Sequence, residues 1–147
     1  MRFVYADNAA TTAVSEKVVQ SMLPYMTEHF GNPSSLYGIG QVAASAVRKA
    51  RQQVATALGA DEKEIFFTSG GSEADNWAIR GAAALGAKKG KKHLITTKFE
   101  HHAVLHTMAA LEKEGFKVTY LDVYENGIVK VEDVEKAITD ETCLVTI

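Results

Sequence analysis

The residues best suited to chemistry begin with Thr68-Ser69-Gly70-Gly71-Ser72-Glu73, between a predicted strand and a predicted helix. Glycines there permit a tight turn with positive φ and let a ligand approach the backbone. The helix that follows presents unpaired N–H groups and the positive end of its dipole. Together these describe an anion site, best suited to a phosphate, with Ser69 and Ser72 able to add hydroxyl donors. The pattern is neither a Walker loop nor Gly-x-Gly-x-x-Gly, so no nucleotide is indicated. An ordinary glycine turn explains it equally well, because Ser72 followed by Asp75 resembles a capping box.

The second stretch is Lys98-Phe99-Glu100-His101-His102, after the next strand. In a parallel sheet this loop lies at the same edge as the glycine turn. A histidine there can stack on a flat ring or move protons near neutral pH. The plainer alternative is a pair of surface histidines at a helix start. No metal is expected, since His101 and His102 point apart and no third ligand is evident. His106 follows His102 at one-face helical spacing, which reads as accidental without a neighbouring carboxylate motif. Lys98 could form a Schiff base if desolvated, but beside Lys91 and Lys92 a solvated charge is the better reading.

Two further stretches carry weaker signals. Asp7-Asn8-Ala9-Ala10-Thr11-Thr12 suits close packing against a ligand or a sharp turn, or a simple lead-in to a helix capped by Ser15. Gly31-Asn32-Pro33-Ser34-Ser35 reads as a mobile lid, an interface loop or an ordinary connection. Cys143, the single cysteine, lies in an apolar run where a thiol is inert.

The helices and strands around these residues follow from periodicity. Residues 14–29 read as a helix with Val18, Val19, Met22, Leu23 and Met26 at helical spacing, and with a kink or break at Pro24. Residues 30–38 form a loop. A long helix over 40–58 is expected to bury Val47, Ala50, Val54 and Leu58 and to turn Arg48, Lys49, Arg51 and Gln52 outward, with Gly59 as its stop. Then strands at 65–68, 93–97, 118–123 and 142–147 alternate with helices at 72–89, 102–114 and 132–139. Gly115 ends the second of these helices, and Glu125-Asn126-Gly127 is a turn. The alternation implies an α/β fold in three layers, a mostly parallel sheet with helices on its faces.

The 147 residues suffice for one domain, with 46% apolar and 23% charged residues near the globular average. This composition excludes a disordered tail and a collagen-like chain. Sixteen basic residues against eighteen acidic ones give a net charge of -2, which offers nucleic acid no basic stripe. No apolar run approaches the ~20 residues that span a bilayer. An acid at Asp7 comes too early for a secretory signal, and a lone cysteine excludes an internal disulfide. The expectation is a soluble, cytoplasmic protein with no nucleic-acid or membrane partner. The strand Cys143-Leu144-Val145-Thr146-Ile147 has no turn, cap or loop after it, which reads as a truncation.

In order and spacing these segments resemble the N-terminal part of a cysteine desulfurase, a class V member of the fold-type I pyridoxal-phosphate-dependent enzymes. The resemblance spans essentially the whole chain. It rests on Asp7–Thr12, Phe30–Ser35, Phe67–Asn76, Glu100-His101 and Glu114–Val118. It implies that residues 1–14 border the active site on the small-domain side, and that 15–147 form the first half of the large, cofactor-binding domain. It implies pyridoxal 5'-phosphate as cofactor, with Gly71 and Ser72 at its phosphate. His101 would stack on its ring and assist proton transfer as a catalytic residue, and Asn8 and Ala9 would border the substrate pocket. The activity implied is removal of sulfur from L-cysteine, giving L-alanine and an enzyme persulfide for iron–sulfur cluster or thio-cofactor assembly.

The partners implied are a sulfur acceptor or iron–sulfur scaffold protein and a second copy in a homodimer, or a missing C-terminal part. Tyr37 stands where close relatives often have histidine. The family's Ser-x-His-Lys pattern, which carries the Schiff-base lysine, and its persulfide cysteine do not occur in these residues, so the chain alone is expected to be inactive. The alternatives are another class V enzyme, an aminotransferase or selenocysteine lyase, or a short non-catalytic interaction module.

Overall fold

Helix α1 (Glu16–Thr27) opens the chain's regular structure, and α2 (Gly38–Leu58) and a 3-10 turn (Glu62–Glu64) follow. These observations come from a computed structural model that describes residues 2–147. The chain divides into two units, one running to Phe66 and the other Phe67–Ile147.

In the first unit both helices form where the apolar period demands them. Ser15 occupies the N-cap position of α1, but its side chain makes no capping bond. The expected break at Pro24 does not occur. Proline removes one donor, and α1 continues to Thr27 and closes with the Glu28 and His29 N–H groups on the Pro24 carbonyl, both at 2.8 Å.

The predicted buried stripe of α2 is also corrected. Val47, Ala50, Val54 and Leu58 are exposed, whereas Gly40, Ala43 and Ala55 are buried. Gly40 lies against the Asn32 and Ser35 carbonyls of the preceding loop, and α2 packs against the 3-10 turn that follows it, so the covered face is the one without bulk. Arg51, expected outside, is half-buried and donates from Nε to the Ile65 carbonyl at 3.0 Å. Val47 and Ala50 instead line a groove of about 620 Å³ with Val18, Met22 and Met26 of α1.

The connection between α1 and α2 is pinned rather than loose. A Cβ on Gly31 would run into the Ile39 carbonyl, and one on Gly40 would lie 2.6 Å from the Asn32 carbonyl. Asn32 Oδ1 accepts the Ser34 N–H at 2.9 Å, and Gln41 Nε2 donates to the Ser35 carbonyl at 2.9 Å. Of the three readings offered for this loop, the mobile lid fits these contacts least.

The strand expected at 65–68 is absent from the sheet. Ile65 is extended (φ -96°, ψ 121°), but residues 65–68 form no ladder among the described residues. Apolar β-formers supply propensity, and a strand exists only where a neighbour completes its hydrogen bonds.

The second unit contains α3 (Gly71–Lys88), β1 (His93–Thr97), α4 (His102–Lys113), β2 (Lys117–Leu121), a 3-10 turn (Glu125–Gly127), α5 (Val131–Ala137) and β3 (Thr142–Val145). The three strands lie in the order β2-β1-β3, all parallel. Helical crossovers between consecutive strands produce that arrangement. The expected α/β class with a parallel sheet is therefore present. Gly59 and Gly115 end α2 and α4 as expected, with left-handed φ of 68° and 91°.

The core sits on one face of this sheet. Leu94 of β1 is flanked in register by Val118 and Leu144. It packs under Ile79 and Ala83 of α3 and Val104, Met108 and Leu111 of α4. Burying a side chain of this kind contributes roughly 1.5–3 kcal/mol. α5 packs against β2. β1 is buried along its whole length. The His93 ring at its start is bridged on both nitrogens, to Thr142 Oγ1 and Thr119 Oγ1, each at 2.8 Å. Gly86 admits β3 closely, since a Cβ there would lie 2.5 Å from Cβ and Sγ of Cys143. The carboxyl ends of parallel strands, where such sheets bind ligands, lead into the loop that carries His101.

Candidate functional site

The first intrahelical bond of α3 runs from the Ala74 N–H to the Gly70 carbonyl at 3.2 Å. The N–H groups of Gly71, Ser72 and Glu73 therefore point out of the helix start without an intrahelical acceptor. The helix dipole adds partial positive charge at the same point. The glycines serve here by their size. Gly70 is extended and neither glycine adopts a left-handed φ. Nothing lies within 4 Å of where a Cβ would stand on Gly70 or Gly71. Ser72, in the first turn, is exposed.

The serine cap does not form, because the helix is capped by Gly70 and Ser72 is its second residue. Instead Glu73 reaches back. Its carboxylate accepts both the Ser69 N–H at 2.7 Å and the Ser69 hydroxyl at 2.8 Å. Those two bonds hold the Glu73 carboxyl below its ordinary pKa. Ser69, expected to serve an incoming anion, is thus occupied by an internal one. The donors left for a ligand are the Gly71–Glu73 amides and the Ser72 hydroxyl.

His101 is the N-cap of α4, and its Nδ1 accepts the Ala103 N–H at 3.1 Å. An accepting Nδ1 carries no proton, so the ring holds its proton on Nε2. The loop before it is fixed at several points. Thr97 Oγ1 donates to Glu100 at 2.9 Å, and the Lys98 N–H donates to the Leu121 carbonyl at 3.0 Å. Lys98 forms an exposed ion pair with Asp122, so it is a solvated charge.

Ser72 and His101 line one cavity of about 320 Å³, together with Asn76, Arg80, His102, His106 and Thr107. Arg80 pairs with Glu114 at 3.0 Å, and both are largely exposed, so that pair adds little stability. The His102 and His106 rings lie 5.3 Å apart and tilted. Among the described residues no three His, Cys, Asp or Glu side chains gather as a metal site. Gly71 adjoins Ser72 at the helix start. Asn8 and Ala9 belong to the first unit, in an exposed turn where the Asp7 carbonyl accepts the Ala10 N–H at 3.2 Å.

Cys143 is half-buried, and its thiol donates to the His93 carbonyl at 3.4 Å. Burial pushes its pKa up, which keeps it in the unreactive thiol form.

Three residues have a part in this arrangement that the sequence did not assign. Glu73 carries a detectable signal, a glutamate in the first helical turn able to reach back to the preceding backbone. Asn76 lies four residues after Ser72 and therefore on the same helix face. Thr107 has no local signal. Its partner, Asn76, is 31 residues away.

Comparison with known proteins bears on this arrangement. The aminotransferase class-V family profile matches residues 4–147. The chain is similar to the cysteine desulfurase IscS of Clostridium botulinum, at 60% identity over 144 residues, covering 98% of this chain and 36% of that protein. It is similar to the cysteine desulfurase IscS of Methanosarcina thermophila at 57% identity, covering 98% and 35%. Among solved structures, a NifS-like protein superposes with a TM-score of 0.90 at 44% identity, covering 95% of this chain and 38% of the other. SspA in complex with cysteine gives a TM-score of 0.90 at 43% identity, covering 97% and 41%. The chain thus spans little more than a third of the length of these relatives. No helix among the described residues is long and apolar enough to cross a membrane. With a parallel sheet, a donor-rich helix start and a capping histidine on one cavity, and a profile match over almost its whole length, the chain belongs to the aminotransferase class-V family.

Proposed function

We propose that the chain supplies one part of the site of a cysteine desulfurase, which takes sulfur from L-cysteine and yields L-alanine and an enzyme persulfide. The observation that carries this reading is that Ser72 and His101 line a single polar cavity. Its support among relatives is the shared identity with proteins called cysteine desulfurase and the likeness to SspA in complex with cysteine. Residues 15–147 would form the first half of a large cofactor-binding domain, with 1–14 bordering the site on the small-domain side.

The residues present fit pyridoxal 5'-phosphate. A phosphate needs outward amides, a hydroxyl and room at the backbone, and the start of α3 offers all three at Gly71 and Ser72. The cofactor, when bound, would supply the electron sink for negative charge at the amino-acid α-carbon, which eases loss of sulfur from the β-carbon. Gly71 and Ser72 would bind and orient the phosphate. His101 would face the ring and hold a transferable proton on Nε2, with Nδ1 fixed by the Ala103 amide. Asn8 and Ala9 would border the substrate. The reading carries with it a homodimer, a protein that accepts the sulfur for iron–sulfur cluster or thio-cofactor assembly, and a cytoplasmic setting.

The test uses the full-length protein loaded with pyridoxal phosphate. His101→Ala is expected to shift the cofactor absorbance band and to slow alanine formation from cysteine by about 10²–10⁴-fold, as for loss of an acid–base group. Ser72→Ala is expected to weaken cofactor binding about fivefold, the effect of one lost hydrogen bond. An unchanged spectrum and rate in His101→Ala would remove the role of that residue.

A further inference from the structure

We propose that Asn76 and Thr107 are positioning residues, a polar lock that fixes the first turn of α3 against the cap of α4 and so sets Ser72 relative to His101. The proposal rests on the reading of those two residues given above. Asn76 Nδ2 donates to the Ser72 carbonyl at 2.9 Å. Thr107 Oγ1 lies 2.7 Å from Asn76 Oδ1 and 2.7 Å from the Ala103 carbonyl. The Ala103 N–H in turn donates to His101 Nδ1 at 3.1 Å. A continuous set of bonds thus runs between the residue that would bind phosphate and the residue that would face the ring.

The lock has only one self-consistent arrangement. Turning the Asn76 amide over would set its oxygen against the Ser72 carbonyl, two acceptors facing each other. With Nδ2 committed to Ser72, Oδ1 remains for the Thr107 hydroxyl. That hydroxyl has one proton, shared between Asn76 Oδ1 and the Ala103 carbonyl. Thr107 is buried and Asn76 half-buried, so water does not readily replace the bond between them. Ile79, Ala83, Val104 and Met108 hold the same two helices together through apolar contact. Apolar contact permits small slides of one helix on the other. The Asn76–Thr107 bond, which crosses from α3 to α4, does not, because its geometry is directional.

The lock also bears on the tautomer of His101. Ala103 is gripped on its carbonyl side by Thr107 and on its amide side by the histidine. Holding that amide in place keeps Nδ1 an acceptor and the proton on Nε2.

The experiment compares Thr107→Val, Thr107→Ser and Asn76→Ala in the full-length protein. The readouts are melting temperature, the dissociation constant for pyridoxal phosphate, and the His101 tautomer by nitrogen NMR without cofactor. Thr107→Val keeps the shape and removes the hydroxyl. It is expected to weaken cofactor binding about five- to tenfold, as for one buried hydrogen bond, and to lower the share of the Nε2-protonated tautomer. Thr107→Ser is expected to restore both. Wild-type affinity and tautomer in folded Thr107→Val and Asn76→Ala would overturn the proposal, whatever the melting temperature. Should Thr107→Val not fold, Asn76→Ala decides alone on the same two readouts. Silence of Ser72→Ala and His101→Ala in affinity and spectrum would instead remove the underlying reading. An effect of those two with none from Thr107→Val would remove the lock alone.

Discussion

The two units of the chain bury their apolar residues to very different degrees. In the second unit Leu94, Ile95 and Met108 are fully buried, and Ile79, Ala83 and Leu111 nearly so. In the first unit Val18, Met22, Met26, Phe30 and Leu36 are exposed, Leu36 to 93%. Both units have well-formed helices, so helix formation alone does not explain the difference. The parallel sheet does. A strand such as β1 is buried along its whole length and gives α3 and α4 a surface to pack on, whereas α1 and α2 line an open groove. Packing, rather than helical pattern, is where the second unit's stability resides.

Substitutions test that difference directly. The largest effect is expected for Met108→Ala, at a fully buried position. It should destabilise the second unit by about 2–5 kcal/mol, read as a lower denaturant midpoint. Gly86→Ala should cost about 1–3 kcal/mol through overpacking against Cys143. Adding Cys143→Ala should recover part of that loss, which a double-mutant cycle measures. Thr96 is fully buried, and its hydroxyl has no partner among the described residues. Thr96→Val is therefore expected to raise stability by about 1 kcal/mol. Met22→Ala, at a half-exposed position of the first unit, should change stability by no more than about 0.5 kcal/mol.

A pH series sharpens the same contrast. Burial, followed by the Lys117 charge, lowers the His93 pKa, and Glu141 acts against them. The folded state then binds fewer protons at His93 than the unfolded state does. This contribution to stability is whole above the ordinary histidine value near 6.5. It declines as pH falls toward the lowered folded value and is constant below that. Denaturant midpoints of the second unit measured from pH 7.5 downward should fall with acidity. Equal midpoints across that range would exclude the effect.

Much of the second unit was legible because its elements are local. The alanine-rich run after Gly71, the apolar strand at 93–97 and the glycine at 115 each announce themselves within a few residues. The stretch at 65–68 has the composition of a strand, but pairing is decided by a distant neighbour. The face that α2 buries was misread for a related reason. The apolar period marks a helix, while the burial of Ala43 and Ala55 depends on what packs against the helix, such as the 3-10 turn after it. At the site, the glycine turn and His101 are visible as types and spacings. The Asn76–Thr107 bond joins residues 31 apart, and no local pattern encodes it.

Gly31 and Gly40 are nine positions apart in sequence, yet both lie at the backbone crossing between the connecting loop and the start of α2. Neither site is therefore free to vary on its own. A library that randomises the pair together should return glycine at both positions, and enlargement at one should not be rescued by any side chain at the other, because what blocks it is main chain. Protein engineers grafting the loop onto another scaffold would have to carry the first turn of the helix with it, as a single part.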